Sequence, residues 1–93
     1  MRIIGYVQHP VWKITVFKTD TRLSVKFEDG LLEQTYKFVQ QDRLNALGEV
    51  QQLIDQKFIL TVERRFREME RHRAEALARH TSISPEDEFD TII

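Results

Sequence analysis

The spacing of hydrophobic residues along this chain changes near residue 40. Before that point apolar and polar residues alternate, as they do in β-strands with one buried face. After it apolar residues recur every three or four positions, as they do in amphipathic helices. The pattern therefore predicts an α+β fold: an antiparallel β-meander of three to four strands, followed by one or two α-helices packed on one face of the sheet.

Two turn signals indicate which residues of the meander share a face. Asp29-Gly30 is a strong hairpin signal, because a type I′ turn needs positive φ at both central residues. With Asp29-Gly30 and Thr19-Asp20 as two-residue loops, the two registers agree on a single apolar face. The residues of that face are Trp12, Ile14, Val16, Leu23, Val25, Phe27, Leu32 and Tyr36.

The same registers place individual pairs of residues across the strands. Phe27 lies opposite Leu32, and Val16 lies opposite Leu23. Gln34 falls on the apolar face, which we attribute to a position at the edge of the sheet, because edge strands often carry polar residues.

Residues 1–8 leave the number of strands open. Ile4 and Tyr6 suit a fourth strand that ends before Pro10, which cannot donate a ladder hydrogen bond. On the polar face of the sheet Phe17 has no obvious apolar neighbour. It is either an isolated exposed residue or part of a surface for a partner.

The helical part leaves open whether residues 42–79 form one helix or two. Asp42 is a candidate N-cap for a first helix. The residues after Asp55 predict a break and a second helix that ends near Arg79. The second helix carries an apolar stripe that faces either its own sheet or a second subunit. The stripe consists of Phe58, Val62, Phe66, Met69 and Ala76 or Leu77.

Composition narrows the class of protein. A chain of 93 residues is expected to form one domain, at residues 1–80, with an acidic and flexible tail at residues 81–93. The absence of cysteine excludes disulfides, zinc–thiolate sites and thiol catalysis. A net charge of −1 and the lack of a long apolar run predict a soluble, cytoplasmic protein that does not enter a membrane.

An arginine-rich stretch at residues 63–73 raises the possibility of nucleic-acid binding. Arg64, Arg67 and Arg71 share the face opposite the apolar stripe. Acidic residues are interleaved with them at a spacing of four, as in Glu63 and Arg67, which is typical of a salt-bridged, solvated helix. We therefore keep a nucleic-acid-binding regulator that uses these arginines as an alternative function only, because a phosphate-binding helix usually leaves its basic residues uncompensated.

Chemistry-bearing residues do not assemble into a recognisable motif. Glu68 and His72 have a spacing suited to a metal on one helix face, but a stable site needs three or four ligands. We therefore predict no catalytic residue, no cofactor and no metal. A small enzyme with a pocket near Trp12, Tyr36 or His72 remains a second alternative.

The predicted helix is longer than its sheet can cover. Residues 58–79 span about 33 Å as a helix, and their last turns would project beyond three short strands. The sequence therefore favours a non-catalytic protein-interaction module that acts as a homodimer, with a second copy or another protein as its partner. The candidate interface residues are Phe17, Phe58, Val62, Phe66 and Met69.

Overall fold

The computed structural model describes residues 1–81, so the tail predicted at residues 81–93 lies outside the described residues except for Thr81. Within this range four antiparallel strands form one sheet in the order β1-β2-β3-β4, and two helices follow. The predicted α+β meander is confirmed, with residues 2–7 as a fourth strand. The elements are β1 (Arg2–Val7), β2 (Lys13–Lys18), β3 (Arg22–Asp29), β4 (Leu32–Val39), α1 (Leu47–Leu53) and α2 (Gln56–Thr81).

The hairpin between β3 and β4 keeps the predicted faces, but its loop begins one residue later. Asp29 pairs with Leu32, so the loop consists of Gly30 and the residue after it. Gly30 has a φ of 60° and the next residue has a negative φ, which is the arrangement of a type II′ turn. Phe27 therefore pairs with Gln34, and not with Leu32 as predicted. A shift of two positions leaves every side chain on its predicted face.

The hairpin between β2 and β3 shifts in the same direction. The backbone N–H of Thr19 donates to the carbonyl of Arg22 at 2.9 Å, and the Thr19 hydroxyl accepts the N–H of Arg22 at 3.0 Å. Val16 consequently pairs with Val25, and not with Leu23 as predicted. The hydroxyl of Thr19 favours this loop because it satisfies a backbone donor at the turn.

One face of the sheet forms the core beneath the two helices. Aromatic rings fill its centre, with Phe27 packed edge-on against Trp12 and Tyr36 and stacked on Phe58 at a centroid distance of 5.8 Å. Apolar burial of this kind is the main force that holds the helices on the sheet. The buried hydrophobic residues are Trp12, Ile14, Val16, Leu23, Val25, Phe27, Val50, Ile54, Val62 and Phe66.

The loop that precedes α1 differs from the prediction of a helix starting at Asp42. Gln41 and Leu44 exchange both of their backbone hydrogen bonds, at 3.1 and 2.9 Å, and so close a tight turn around Asp42. The helix begins only after this turn, where the carboxylate of Glu49 accepts the N–H of Ala46 at 3.2 Å. The Asp42 prediction is wrong because the local turn satisfies the backbone before a helix can start.

The predicted break between two helices is confirmed at Asp55. Its carboxylate accepts the N–H of Phe58 at 2.9 Å, and its carbonyl accepts the N–H of Ile59 at 3.0 Å. Asp55 is therefore the N-cap of α2. The helix then runs without interruption to Thr81, two residues beyond the predicted end at Arg79.

Candidate interaction surfaces

A groove runs between α2 and the outer strand of the sheet, and we call it the edge groove. It has a volume of about 380 Å³. Its wall on the sheet is Tyr36 of β4, and its floor is mostly apolar. The edge groove is lined by Tyr36, Leu53, Asp55, Lys57, Phe58, Thr61, Val62 and Arg65.

A polar network ties β4 to α2 beside this groove. The side-chain amide of Gln34 donates to the carbonyl of Val62 at 3.0 Å, and the hydroxyl of Tyr36 donates to the Gln34 side-chain oxygen at 2.7 Å. The polar residue on the apolar face is thus an anchor for the helix, and it lies on an edge strand as predicted. Both the N–H and the oxygen of the Gln34 side-chain amide are hydrogen-bonded, so its partial burial costs little in lost hydration.

A second groove lies on the other side of α2, at the end of the sheet, and we call it the end groove. It has a volume of about 530 Å³. Apolar side chains form its base, while Asp29, Glu63 and Glu70 outnumber Arg67 on its rim. The end groove is lined by His9, Val11, Trp12, Asp29, Leu32, Glu63, Phe66, Arg67 and Glu70.

His9 fixes the shape of the end groove at the start of β2. Its ring stacks on Trp12 with a centroid distance of 4.1 Å and an interplanar angle of 6°. Its Nδ1 accepts the backbone N–H groups of Val11 and Trp12, at 3.2 and 3.0 Å. The histidine is a structural residue here, because both its ring face and this nitrogen serve the local fold.

The last turns of α2 extend beyond the sheet, and we call residues 70–81 the α2 tip. Every residue of the tip is exposed, and Leu77 has 52% of its surface accessible. The guanidinium of Arg73 donates to both carboxylate oxygens of Glu70, at 3.0 and 3.1 Å. These hydrogen bonds lower the pKa of Glu70 and raise the pKa of Arg73.

The predicted interface residues separate into three positions. Val62 and Phe66 are buried against the sheet of their own chain, so the stripe serves the core in this part of α2. Phe58 and Met69 are partly buried at the border of that core. Phe17 lies on the opposite face of the sheet, where it pairs with Ile3 and Ser24.

The three arginines considered for nucleic-acid binding all point into solvent. Arg64, Arg67 and Arg71 are exposed on α2. Arg67 forms the predicted ion pair with Glu63 at 2.9 Å. Glu68 contacts Arg65 at 3.6 Å, at a spacing of three and not four. Such exposed pairs contribute little to stability, and they partly neutralise this face.

The side chains considered for catalysis do not converge. Tyr36 lies in the edge groove, Trp12 in the end groove, and His72 on the α2 tip. Within residues 1–81 no three histidine or carboxylate side chains come close enough to hold a metal ion. In the same residues neither helix combines the length and the apolar character needed to cross a membrane.

Comparisons of the chain with protein-family models, with curated proteins and with solved structures found no match.

Proposed function

We propose that this protein is a non-catalytic interaction module that acts as a homodimer. The observation that carries the proposal is the α2 tip, in which 12 consecutive helical residues are exposed. Helices in proteins draw most of their stability from the packing of an apolar face, and within residues 1–81 the tip buries no such face. A second copy that packs against the tip supplies the missing contacts.

The tip continues the face by which α2 covers its own sheet. Arg73, Ala76 and Leu77 follow Met69 at the spacing of three and four that keeps residues on one side of a helix. Beyond the sheet the stripe therefore consists of the small and apolar side chains of Ala76 and Leu77 beside the basic Arg73. An antiparallel arrangement of two tips about a twofold axis buries the same stripe in both copies.

Charge favours the contact of a tip with the end groove of the other copy. The tip carries Arg71, Arg73 and Arg79 against Glu70 and Glu75, and is basic overall. Apart from Glu70, which already bonds Arg73 of its own tip, the rim of the end groove carries Asp29 and Glu63 against Arg67. In an antiparallel pair each basic tip runs back over this acidic rim, which favours the antiparallel over the parallel arrangement.

The test is the absolute mass in solution, measured by size-exclusion chromatography with light scattering at low and high salt. A dimer has twice the chain mass of 11.1 kDa. Leu77→Lys places a charge in the proposed seam, and we expect it to yield the monomer. Leu60→Lys is the matched control, because Leu60 is 54% exposed on the same helix but lies outside the tip.

Two results contradict the proposal. One is a monomeric wild-type protein at concentrations well above micromolar. The other is a dimer that survives Leu77→Lys while Leu60→Lys disrupts it, which would place the contact on the sheet-bound half of α2.

A further inference from the structure

We propose that β4 and the edge groove together receive an extended segment of another protein as a fifth strand. The segment carries an apolar side chain that enters the groove and an acidic residue two positions away on each side. This surface is separate from the α2 tip and the end groove, so the proposal does not depend on the homodimer.

The backbone of β4 presents a free edge. Gln40 donates its N–H to the carbonyl of Thr21 at 2.8 Å, and this pair continues the β3–β4 register, so the even-numbered residues bond inward. The odd-numbered residues direct their N–H and carbonyl groups away from the sheet. No strand pairs with that side in residues 1–81. The outward-directed residues of β4 are Glu33, Thr35, Lys37 and Val39.

Helix α2 overhangs this edge. Val62 lies above β4, because its carbonyl accepts a hydrogen bond from Gln34. Thr61 and Arg65 line the same groove as Phe58, three and seven residues after it, whereas the Phe58 ring reaches inward to Phe27 of β3. A strand added about 4.8 Å from β4 therefore lies beneath these side chains, and is covered by the helix as the core strands are.

The groove selects the side chain that enters it. Alternate residues of an added strand face the helix, and one of them projects beside Tyr36 and Phe58. The cavity of about 380 Å³ accepts a side chain as large as phenylalanine. Its aromatic and aliphatic floor favours an apolar side chain over a polar one, because a buried polar group needs a partner.

Two cations on α2 select the flanking residues. Lys57 and Arg65 stand on either side of Thr61 in the groove lining, and they are eight positions, or about 12 Å, apart along the helix axis. Positions two before and two after the central residue of a strand are about 13 Å apart, and the long side chains of the two cations span the angle at which α2 crosses β4. The ion pair of Arg65 with Glu68 is exposed at 3.6 Å, so it gives way to a better-placed carboxylate.

The probe is a seven-residue peptide, Thr-Glu-Val-Phe-Val-Glu-Thr, with a fluorescein label at its N-terminus. The matched control is Thr-Val-Glu-Phe-Glu-Val-Thr, which has the same composition but turns both acids to the other face of the strand. We expect fluorescence anisotropy with the full chain to show binding of the probe, and at least roughly tenfold weaker binding of the control, since two charged contacts are lost.

Three variants locate the site. Thr35→Pro removes an outward N–H from the edge, where proline is tolerated, and is expected to weaken probe binding roughly tenfold. Thr61→Trp fills the groove and is expected to abolish probe binding. Leu60→Trp is its matched control, because it places the same side chain on the exposed side of α2 and leaves the affinity unchanged.

Several outcomes overturn the proposal. They are equal affinity of the two peptides, no binding of the probe at millimolar concentration, and unchanged binding to Thr61→Trp. A Thr61→Trp variant that turns a dimer into a monomer also overturns it, because the groove is then the contact between two copies. Thr61→Trp serves as the decisive variant if Thr35→Pro fails to fold by circular dichroism.

Discussion

Gly5 occupies the point at which β1 and α1 come together. It has a φ of 155° and follows a bulge in the pairing of β1 with β2. The side chain of Leu47 fills the space where a Cβ atom of residue 5 would lie. The absence of a side chain therefore lets α1 approach the sheet, and the bulge provides the required twist.

Alanine substitution at two glycines should have opposite effects. Gly5→Ala introduces a clash with Leu47 and an unfavourable φ, and we expect it to lower the free energy of unfolding by about 2–3 kcal/mol. Gly48 lies in α1, and a Cβ atom added there has no neighbour within 4 Å. We therefore expect Gly48→Ala to raise the free energy of unfolding by about 0.5–1 kcal/mol, because alanine has the higher helix propensity. Urea unfolding curves measure both, and a tolerated Gly5→Ala would contradict the proposed packing of α1.

Single residues also show what the sequence could predict. Alternation placed Gln34 on the apolar face correctly, because side-chain direction in a strand depends only on parity. Its partner, the carbonyl of Val62, could not be predicted, since that contact joins residues 28 positions apart through the crossing of α2 over β4. The structural role of His9 could not be predicted either, because it depends on how the ring folds back over the backbone of Trp12. Its position beside Pro10 indicates only that a turn is present there.

At the level of elements, the start of α2 depends on Asp55. We expect Asp55→Ala to lower the free energy of unfolding by about 1 kcal/mol, because the N–H of Phe58 then loses its acceptor. Asp42→Ala is the matched control, since Asp42 lies in the turn before α1 and caps no helix. We expect its effect to stay within about 0.5 kcal/mol. Equal losses in the two variants, measured by urea unfolding, would show that Asp55 has no special role.

The α2 tip should respond to acid through Glu70. Its pKa is lowered first by the hydrogen bonds from Arg73, so the helix favours the charged carboxylate. The contribution of this pair is therefore present at neutral pH and is lost as the pH falls through the lowered pKa. We expect Cα chemical shifts of residues 70–81 to lose helical character in acid, and Glu70→Gln to reduce that change. A Glu70→Gln protein with the wild-type acid response would contradict the role of this pair.

Element types followed from the sequence more reliably than element boundaries. Periodicity gave the strands, the break at Asp55 and the long second helix, because burial imposes that periodicity. Both hairpin loops begin one residue later than predicted. For β3–β4 the reason is that a type II′ turn places Gly30 first in the loop, whereas the predicted type I′ turn places it second. For β2–β3 it is that Thr19 pairs with Arg22 through its backbone and its hydroxyl. The predicted start of α1 at Asp42 lies before the observed start at Leu47, because aspartate is as common in turns as it is at N-caps.

At the scale of the whole molecule, dimer formation links stability to concentration. If the tips pack together, unfolding also separates the two copies, and the thermal midpoint rises with protein concentration. We expect this rise for the wild type and for Leu60→Lys, and its absence for Leu77→Lys. Differential scanning calorimetry over a hundredfold range of concentration measures it. A midpoint independent of concentration in all three proteins would contradict the dimer.

The sequence named Tyr36 and Trp12 as residues near a pocket, and these two do line the edge groove and the end groove, but the helix residues opposite them could not be predicted. The edge groove joins Tyr36 with Thr61 and Arg65, and none of these belongs to a local motif. Their proximity depends on the angle at which α2 crosses the sheet, which side-chain packing decides. The projection of α2 was predictable, because helix length follows from residue count alone.

The two edges of the sheet are unequal, and this limits how the molecule can associate. On β1 the bulge at Ile4 interrupts the ladder, and the side chain of Gln51 donates to the carbonyl of Tyr6. On β4 the eight-residue edge has no such interruption. A protein that offers two uninterrupted edges can polymerise into a filament, whereas copies that join only through β4 stop at a pair. We therefore expect edge-to-edge association of this sheet to end at two copies and not to grow into a filament.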